Sequence, residues 1–251
     1  MKHFTIFQGF YYAIAEMTEE EIVSTIGSFT YREKVEEIRR IFAEQGEKAA
    51  NEKKKELLAI AFSASYRGSR SNATLVKYLG YIVIDIDHLS KEELARILQT
   101  VRACSYPRIA FISPKGMGVK IIVRACHPDE TLPETLQEIE DFHHAAYTRL
   151  VSFYTELCQI EIDTSGQDVA RTCLFSYDPE IYFNPNADAF LVDQPQASYK
   201  VSNRKNLSGS KQQTPPDGPP TNEDTALNAH SANASLVLTL TYYHNKSEKY
   251  I

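Results

Sequence analysis

The informative half of the chain alternates between two hydrophobic periods. Residues 81 to 87, Tyr-Ile-Val-Ile-Asp-Ile-Asp, form a short β-branched run that predicts a strand. Ser90 with Glu93 makes a capping box, and Leu94, Ile97, Leu98 and Val101 follow at helical spacing. Residues 108 to 113 read as a second strand and residues 119 to 125 as a third. The turn Pro-Lys-Gly-Met-Gly joins these two as a hairpin. A long helix is expected over 133 to 157, with Leu136, Ile139, Phe142, Leu150 and Phe153 in or near its apolar stripe. Residues 170 to 177 read as a fourth strand. The order β-α-β-β-α-β predicts an α+β fold with a ferredoxin-like, RRM-like core over about 78 to 185.

Upstream, the pattern is mostly helical, an α-rich extension of that core. An N-terminal strand is followed by two capping boxes, Thr18 with Glu21 and Thr30 with Glu33. The second opens a helix running to Gly46, and residues 47 to 58 continue as helix. Residues 1 to 196 therefore read as one domain. Residues 197 to 231 are rich in Ser, Pro, Gly, Asn and Gln, and are expected to be a disordered linker. Residues 232 to 251 are a tail too short to fold alone. A linker of this kind points to the front module of a longer architecture or to a truncated product.

Composition narrows the setting. The net charge is -6 over 251 residues, which argues against a nucleic-acid coat protein but allows a local basic groove. The four cysteines (Cys104, Cys126, Cys158, Cys173) lack zinc-ligand spacing and read as core thiols of a reducing compartment. The apolar N-terminus is broken by Gln8 and followed by acids, so it reads as a strand and not a signal peptide. No stretch approaches the length of a membrane span. The cytoplasm is the expected location.

Three segments carry candidate chemistry. On a strand, alternate side chains share a face, so Asp85 and Asp87 project together about 6.5 Å apart, opposite Ile82, Ile84 and Ile86. Two such carboxylates repel unless neutralised, and a hard divalent cation, Mg²⁺ or Mn²⁺, would do so. The alternative is that they cap the strand-to-helix turn. The hairpin from Ser113 to Lys120 offers Ser113, Lys115, Gly116, Gly118 and Lys120 to a phosphate, or is an ordinary glycine turn. It is not a P-loop, because it joins two strands and lacks that spacing. The third segment holds Asp163, Asp168 and Arg171, either a third acid with a phosphate-forking arginine or a structural pair with turn-forming aspartates. Lys53 to Lys55, and the Tyr66–Arg67–Arg70 segment, read as solvated surface or as phosphate-facing and stacking groups. His88 is expected in a turn, and His143 and His144 half-exposed on a helix, without the His-hydrophobic-His triplet of a relaxase.

Taken in order, "YIVIDIDHL", "FISPKGMGVKI" and "IDTSGQDVARTCLFSYDP" resemble the archaeo-eukaryotic primase, or primase-polymerase, superfamily. More narrowly, they resemble the primase-like N-terminal domain of virulence-associated protein E-like proteins from Bacteroides mobile elements. The resemblance covers roughly residues 50 to 185. It implies divalent-metal-dependent nucleotidyl transfer in DNA replication. Asp85, Asp87 and Asp163 would be catalytic metal ligands, with Asp168 a competing third acid. Ser113, Lys115, Gly116, Gly118, Lys120 and Arg171 would bind the nucleoside triphosphate. Lys54, Lys55, Arg67 and Arg70 would follow single-stranded DNA or a primer-template. Lys120 stands where the family has a histidine. No P-loop is present in the chain, so a helicase would act in trans. The alternative is an inactive primase-like module that binds nucleic acid or a replication partner.

Overall fold

A computed structural model describes residues 2–9 and 11–193. The linker and tail expectations lie outside the described residues. In chain order the elements are β1 (Phe4–Gln8), β2 (Tyr12–Met17), α1 (Glu19–Gly27), α2 (Arg32–Gln45), α3 (Glu47–Lys54), β3 (Ala59–Ala61), β4 (Ala64–Tyr66) and β5 (Leu75–Tyr78). They continue as β6 (Tyr81–Ile86), α4 (Lys91–Ala103), β7 (Pro107–Ile112), β8 (Val119–Cys126), α5 (Leu136–Cys158), β9 (Cys173–Leu174), β10 (Tyr182–Phe183) and β11 (Phe190–Leu191). The architecture is mixed α+β. Every described strand pair is antiparallel except β8 with β11.

Two main sheets form. In one the order is β2-β1-β3-β9. In the other, β8 lies between β6 and β7, with β10 beyond β7 and β11 along the end of β8. The alternation in β6 decides what each face meets. Ile82, Ile84 and Ile86 pack with Ile97 and Val101 of α4 and Phe142 and Leu150 of α5. Tyr81 and Val83 face a second cluster with Ile22, Val35, Ile38, Phe111 and Ile122. Each such side chain contributes roughly 1.5–3 kcal/mol when fully buried. Asp85 continues the Tyr81–Val83 side of the strand, a carboxylate in line with a core face.

The sequence signals at helix starts hold where side chain and backbone bond reciprocally. Glu93 N–H donates to Ser90 Oγ at 3.2 Å, and Ser90 N–H to Glu93 Oε2 at 2.8 Å. Thr18 with Glu21 does the same at α1. The expected Thr30–Glu33 box does not form. Ser28 instead caps a single 3-10 turn over Phe29–Tyr31, and α2 starts at Arg32 without a side-chain cap. The fourth strand is also shorter than expected. Only Cys173–Leu174 is strand, and it pairs with β3 in the other sheet, not with β6.

His143 corrects the expectation of a half-exposed helix position. It is 1% exposed, and its Nδ1 lies 3.0 Å from the Tyr78 hydroxyl. Burial drives its pKa down to about 4 from 6.5. A histidine held neutral in the fold stabilises above its unfolded pKa and loses that contribution as pH falls. We expect wild type to lose on the order of 3 kcal/mol between pH 6.5 and 4 through this group. Urea midpoints of a His143→Gln variant should fall less steeply over that window. An equal slope in both proteins would rule His143 out as the acid-sensitive group.

Candidate phosphate-facing site

Strand pairing brings the first two candidate segments together. Asp85 of β6 and Lys120 of β8 are direct cross-strand partners in the antiparallel ladder. Their side chains point to the same face and form an ion pair, the lysine 13% exposed and the carboxylate 20%. Burial works against the Lys120 ammonium, but Asp85 outweighs it and holds its pKa above the usual value. Arg171 Nη2 stands 3.7 Å from the same Asp85 oxygen. The other oxygen, Oδ1, is buried and has no hydrogen-bond partner among the described residues.

The loop between β7 and β8 closes over this end of the sheet. Ser113 N–H donates to Gly118 O, and Gly116 N–H to Ser113 O, both at 2.8 Å. Gly116 has φ +78°, a conformation that glycine adopts without strain. Gly118 packs where a Cβ would lie 2.5 Å from Ile86 O and 2.6 Å from Asp87 Oδ1. Met117 O accepts from Leu89 N–H at 2.9 Å, tying the loop to the turn after β6. His88 occupies that turn at φ +60°, as a turn residue. Ser113 Oγ is buried without a hydrogen-bond partner among the described residues. Lys115 is buried and ion-paired with Glu47 of α3 at 2.6 Å.

The lysine run on α3 divides by direction. Lys53 bonds Glu37 and Glu56 at 3.3 and 3.0 Å, and Lys55 bonds Glu52 at 2.7 Å. Lys54 instead turns inward. Burial and the charges of Lys115 and Lys120 lower its pKa, against the pull of Asp87 and Asp85. Four cations, Lys54, Lys115, Lys120 and Arg171, thus stand around Asp85, Asp87 and Glu47.

The remaining expected residues divide between this site and other places. Asp87 is exposed just past β6 and lies against Gly118. Asp163 is exposed and spends both oxygens on its own turn, accepting from Ser165 N–H at 2.9 Å and Ser165 Oγ at 2.7 Å. Asp168 caps the backbone of Ala170 and Arg171. Of the three expected metal ligands, Asp85 pairs with Lys120 and Asp163 accepts from Ser165. Among the described residues no group of three His, Cys, Asp or Glu converges to hold a metal ion. Arg67 is exposed, and Arg70 donates to Ala170 O at 2.8 Å. Tyr66 is not a stacking platform, being 4% exposed with its hydroxyl on Val169 O at 3.1 Å.

Arg39 of α2 was not anticipated. It donates to Tyr177 O at 2.9 Å, its Nε is buried without a partner among the described residues, and it lies against Gly116. Its i,i+4 spacing from the buried Val35 gave only a boundary position on the helix, so nothing local marked it.

Comparison with curated proteins and with solved structures gave no match in either case. No described helix is long and apolar enough to cross a membrane. The family model described as "BT4734-like, N-terminal domain" matches residues 52–183, a span that includes Lys54, Asp85, the Gly116–Gly118 loop, Lys120 and Arg171. That match covers more than half of the 251 residues, and the chain belongs to the BT4734-like N-terminal domain family.

Proposed function

We propose that this chain is a primase-like module of a mobile-element replication protein that binds the phosphates of single-stranded DNA without transferring nucleotides. The observation that carries this reading is the cation cluster around Asp85. Lys120 already neutralises Asp85, while Lys54 stands inside the cluster with no ion pair among the described residues. A cationic site with a spare ammonium suits a phosphate better than it suits a second carboxylate. The order β6-α4-β7-β8-α5, with β6 and β8 adjacent, supports a ferredoxin-like split unit as its frame. In a cytoplasmic replication complex a helicase would be supplied in trans.

A second reading, Mg²⁺- or Mn²⁺-dependent nucleotidyl transfer from a nucleoside triphosphate, is favoured by two atoms. Asp85 Oδ1 is buried and unbonded among the described residues, and Asp87, two residues on, is exposed. It requires Lys120 to release Asp85.

Fluorescence anisotropy with single-stranded DNA over a salt series tests the first reading. Affinity should fall with salt, and Lys54→Gln should weaken binding and flatten the log–log slope by about 0.7, one single-strand phosphate contact. A salt-independent signal, or Lys54→Gln binding like wild type, would sink it. Template-directed incorporation with Mg²⁺ or Mn²⁺ that an Asp85→Asn/Asp87→Asn pair abolishes would establish the second reading instead.

A further inference from the structure

At the opposite end of the same face of β6 and β8 lies a separate cavity of about 260 Å³. Tyr81 and Arg124, direct cross-strand partners, form part of its wall, with Lys2, Glu19, Glu20 and Arg108 around them. Arg124 sits four residues beyond Lys120 on β8, about 13 Å along the strand. Val83 and Ile122 are buried between the two places, so this is not an extension of the Asp85 site.

The charges in this cavity do not balance. Arg108 is satisfied: its Nε and Nη2 grip the two oxygens of Glu19 at 2.7 and 2.5 Å, and Nη1 reaches Pro185 O. Both oxygens of that carboxylate are therefore taken by Arg108. Among the described residues Lys2 Nζ reaches only a carbonyl, Leu79 O at 3.2 Å, and stands 4.5 Å from the centre of the Tyr81 ring. Arg124 makes no ion pair among the described residues, and its Nε is buried with no partner. Burial first, and the charge of Arg124 next, push the Lys2 ammonium down to about 8, with Glu19 offsetting only part of this. Glu20 on the rim is exposed.

We propose that this cavity is a binding site for a phosphate dianion, the terminal group of a phosphomonoester, held between Lys2 and Arg124. Over the whole lining Lys2, Arg108 and Arg124 face Glu19 and Glu20, an excess of one positive charge, and Lys2 and Arg124 are the two cations without a carboxylate partner among the described residues. A phosphomonoester carries about -1.5 to -2 at neutral pH on three acceptor oxygens and so can meet both cations, whereas a carboxylate brings one charge on two oxygens. The planar guanidinium supplies a fork for two phosphate oxygens, and the ammonium supplies a point charge opposite. The cavity lies just below the size range of ligand pockets, which begins at about 300 Å³, and so suits the phosphate and little more than its attached group. The inference does not depend on single-stranded DNA binding at the Asp85 site.

The test is calorimetric and NMR titration of the full chain at neutral pH and fixed ionic strength. The probes are inorganic phosphate, a nucleoside 5′-monophosphate, a 5′-phosphorylated oligonucleotide, its unphosphorylated counterpart and acetate. Binding of a phosphate dianion should shift the Lys2 Nζ and Arg124 Nε signals, and acetate at the same concentration should not. The tightest of the three phosphate probes identifies the source. Lys2→Gln should weaken binding about 10-fold, the loss of one charge-assisted contact, with Arg124→Gln losing at least as much. Lys34→Gln, on the exposed side of α2, should bind as wild type. Lys2 lies outside the strands, so its variant keeps the test valid if Arg124→Gln fails to fold. Absence of signal change with all three phosphates, equal response to acetate, or wild-type affinity in Lys2→Gln would overturn the proposal.

Discussion

Lys120→Met is expected to lower stability by about 2–4 kcal/mol, visible as a drop in the urea midpoint at unchanged slope. The cause is the carboxylate left behind. Breaking a buried ion pair strands the partner's charge, which costs about 3–5 kcal/mol when burial is complete. Here the two side chains keep 13% and 20% exposure, and Arg171 at 3.7 Å partly compensates Asp85, so the cost drops to about 2–4 kcal/mol. Asp85→Asn/Lys120→Met removes both charges and should recover most of the loss. A coupling energy of about 1–3 kcal/mol in the double-mutant cycle is the expected signature. The pH dependence follows from Lys120, whose pKa is raised above 10.5 in the fold. Its contribution is complete below 10.5 and is lost only as pH climbs through the folded value. The gap between wild type and Lys120→Met should therefore stay constant near neutrality and narrow only in alkali. Additive single mutants would mean that the two groups do not act as a pair.

Gly118→Ala should cost about 2–3 kcal/mol, for a steric reason and not a conformational one. The added methyl would lie 2.5 Å from Ile86 O and 3.2 Å from Asp87 Cα, both backbone atoms of the segment that carries the two aspartates. Neither can swing aside as a side-chain tip would. The loop must lift from the end of β6, carrying Lys115 and the Met117–Leu89 bond with it. Gly68→Ala is the comparison. Gly68 has φ +80° with nothing within 4 Å of its Cβ position, so only backbone strain of about 1–2 kcal/mol applies. Chemical denaturation should rank Gly118→Ala as the more damaging, with backbone NMR shifts at Asp87 and Leu89 in that variant alone. The reverse ranking would show that the loop has room to move.

The elements around the site were legible because local rules and packing agree there. The β-branched alternation of residues 81 to 86 is set by one face packing on α4 and α5, and the Ser90–Glu93 box needs only four consecutive residues. The β7–β8 hairpin that carries Lys120 followed from its glycine turn between two apolar runs. Other expectations failed where a distant contact outweighed a local one. Residues 170 to 177 look like a full strand, yet only Cys173 and Leu174 pair with β3; one further bond, Phe175 N–H to Leu58 O, follows before Ser176 Oγ turns to Ile112 O of β7. Tyr66 and His143 looked like surface groups, but Val169 O and Tyr78 supply buried hydrogen bonds that make their interior positions tenable.

The direction of the charged side chains was the least legible feature. Lys53, Lys54 and Lys55 are identical in sequence terms. Only the seating of α3 sends the outer two to neighbouring glutamates and the middle one toward Asp85 and Lys120. Arg124 and Lys2 are 122 positions apart, and nothing local links them. By itself the sequence determined the mixed α+β class, the strand ending in Asp85 and the hairpin carrying Lys120, because period and turn chemistry act over a few residues. Only the tertiary structure decided that Lys120 neutralises Asp85, that Asp163 bonds its own turn, and that two cations meet beside Tyr81. Electrostatic partners are chosen by distance in space, and a one-dimensional pattern holds no record of that distance once the chain has folded back on itself.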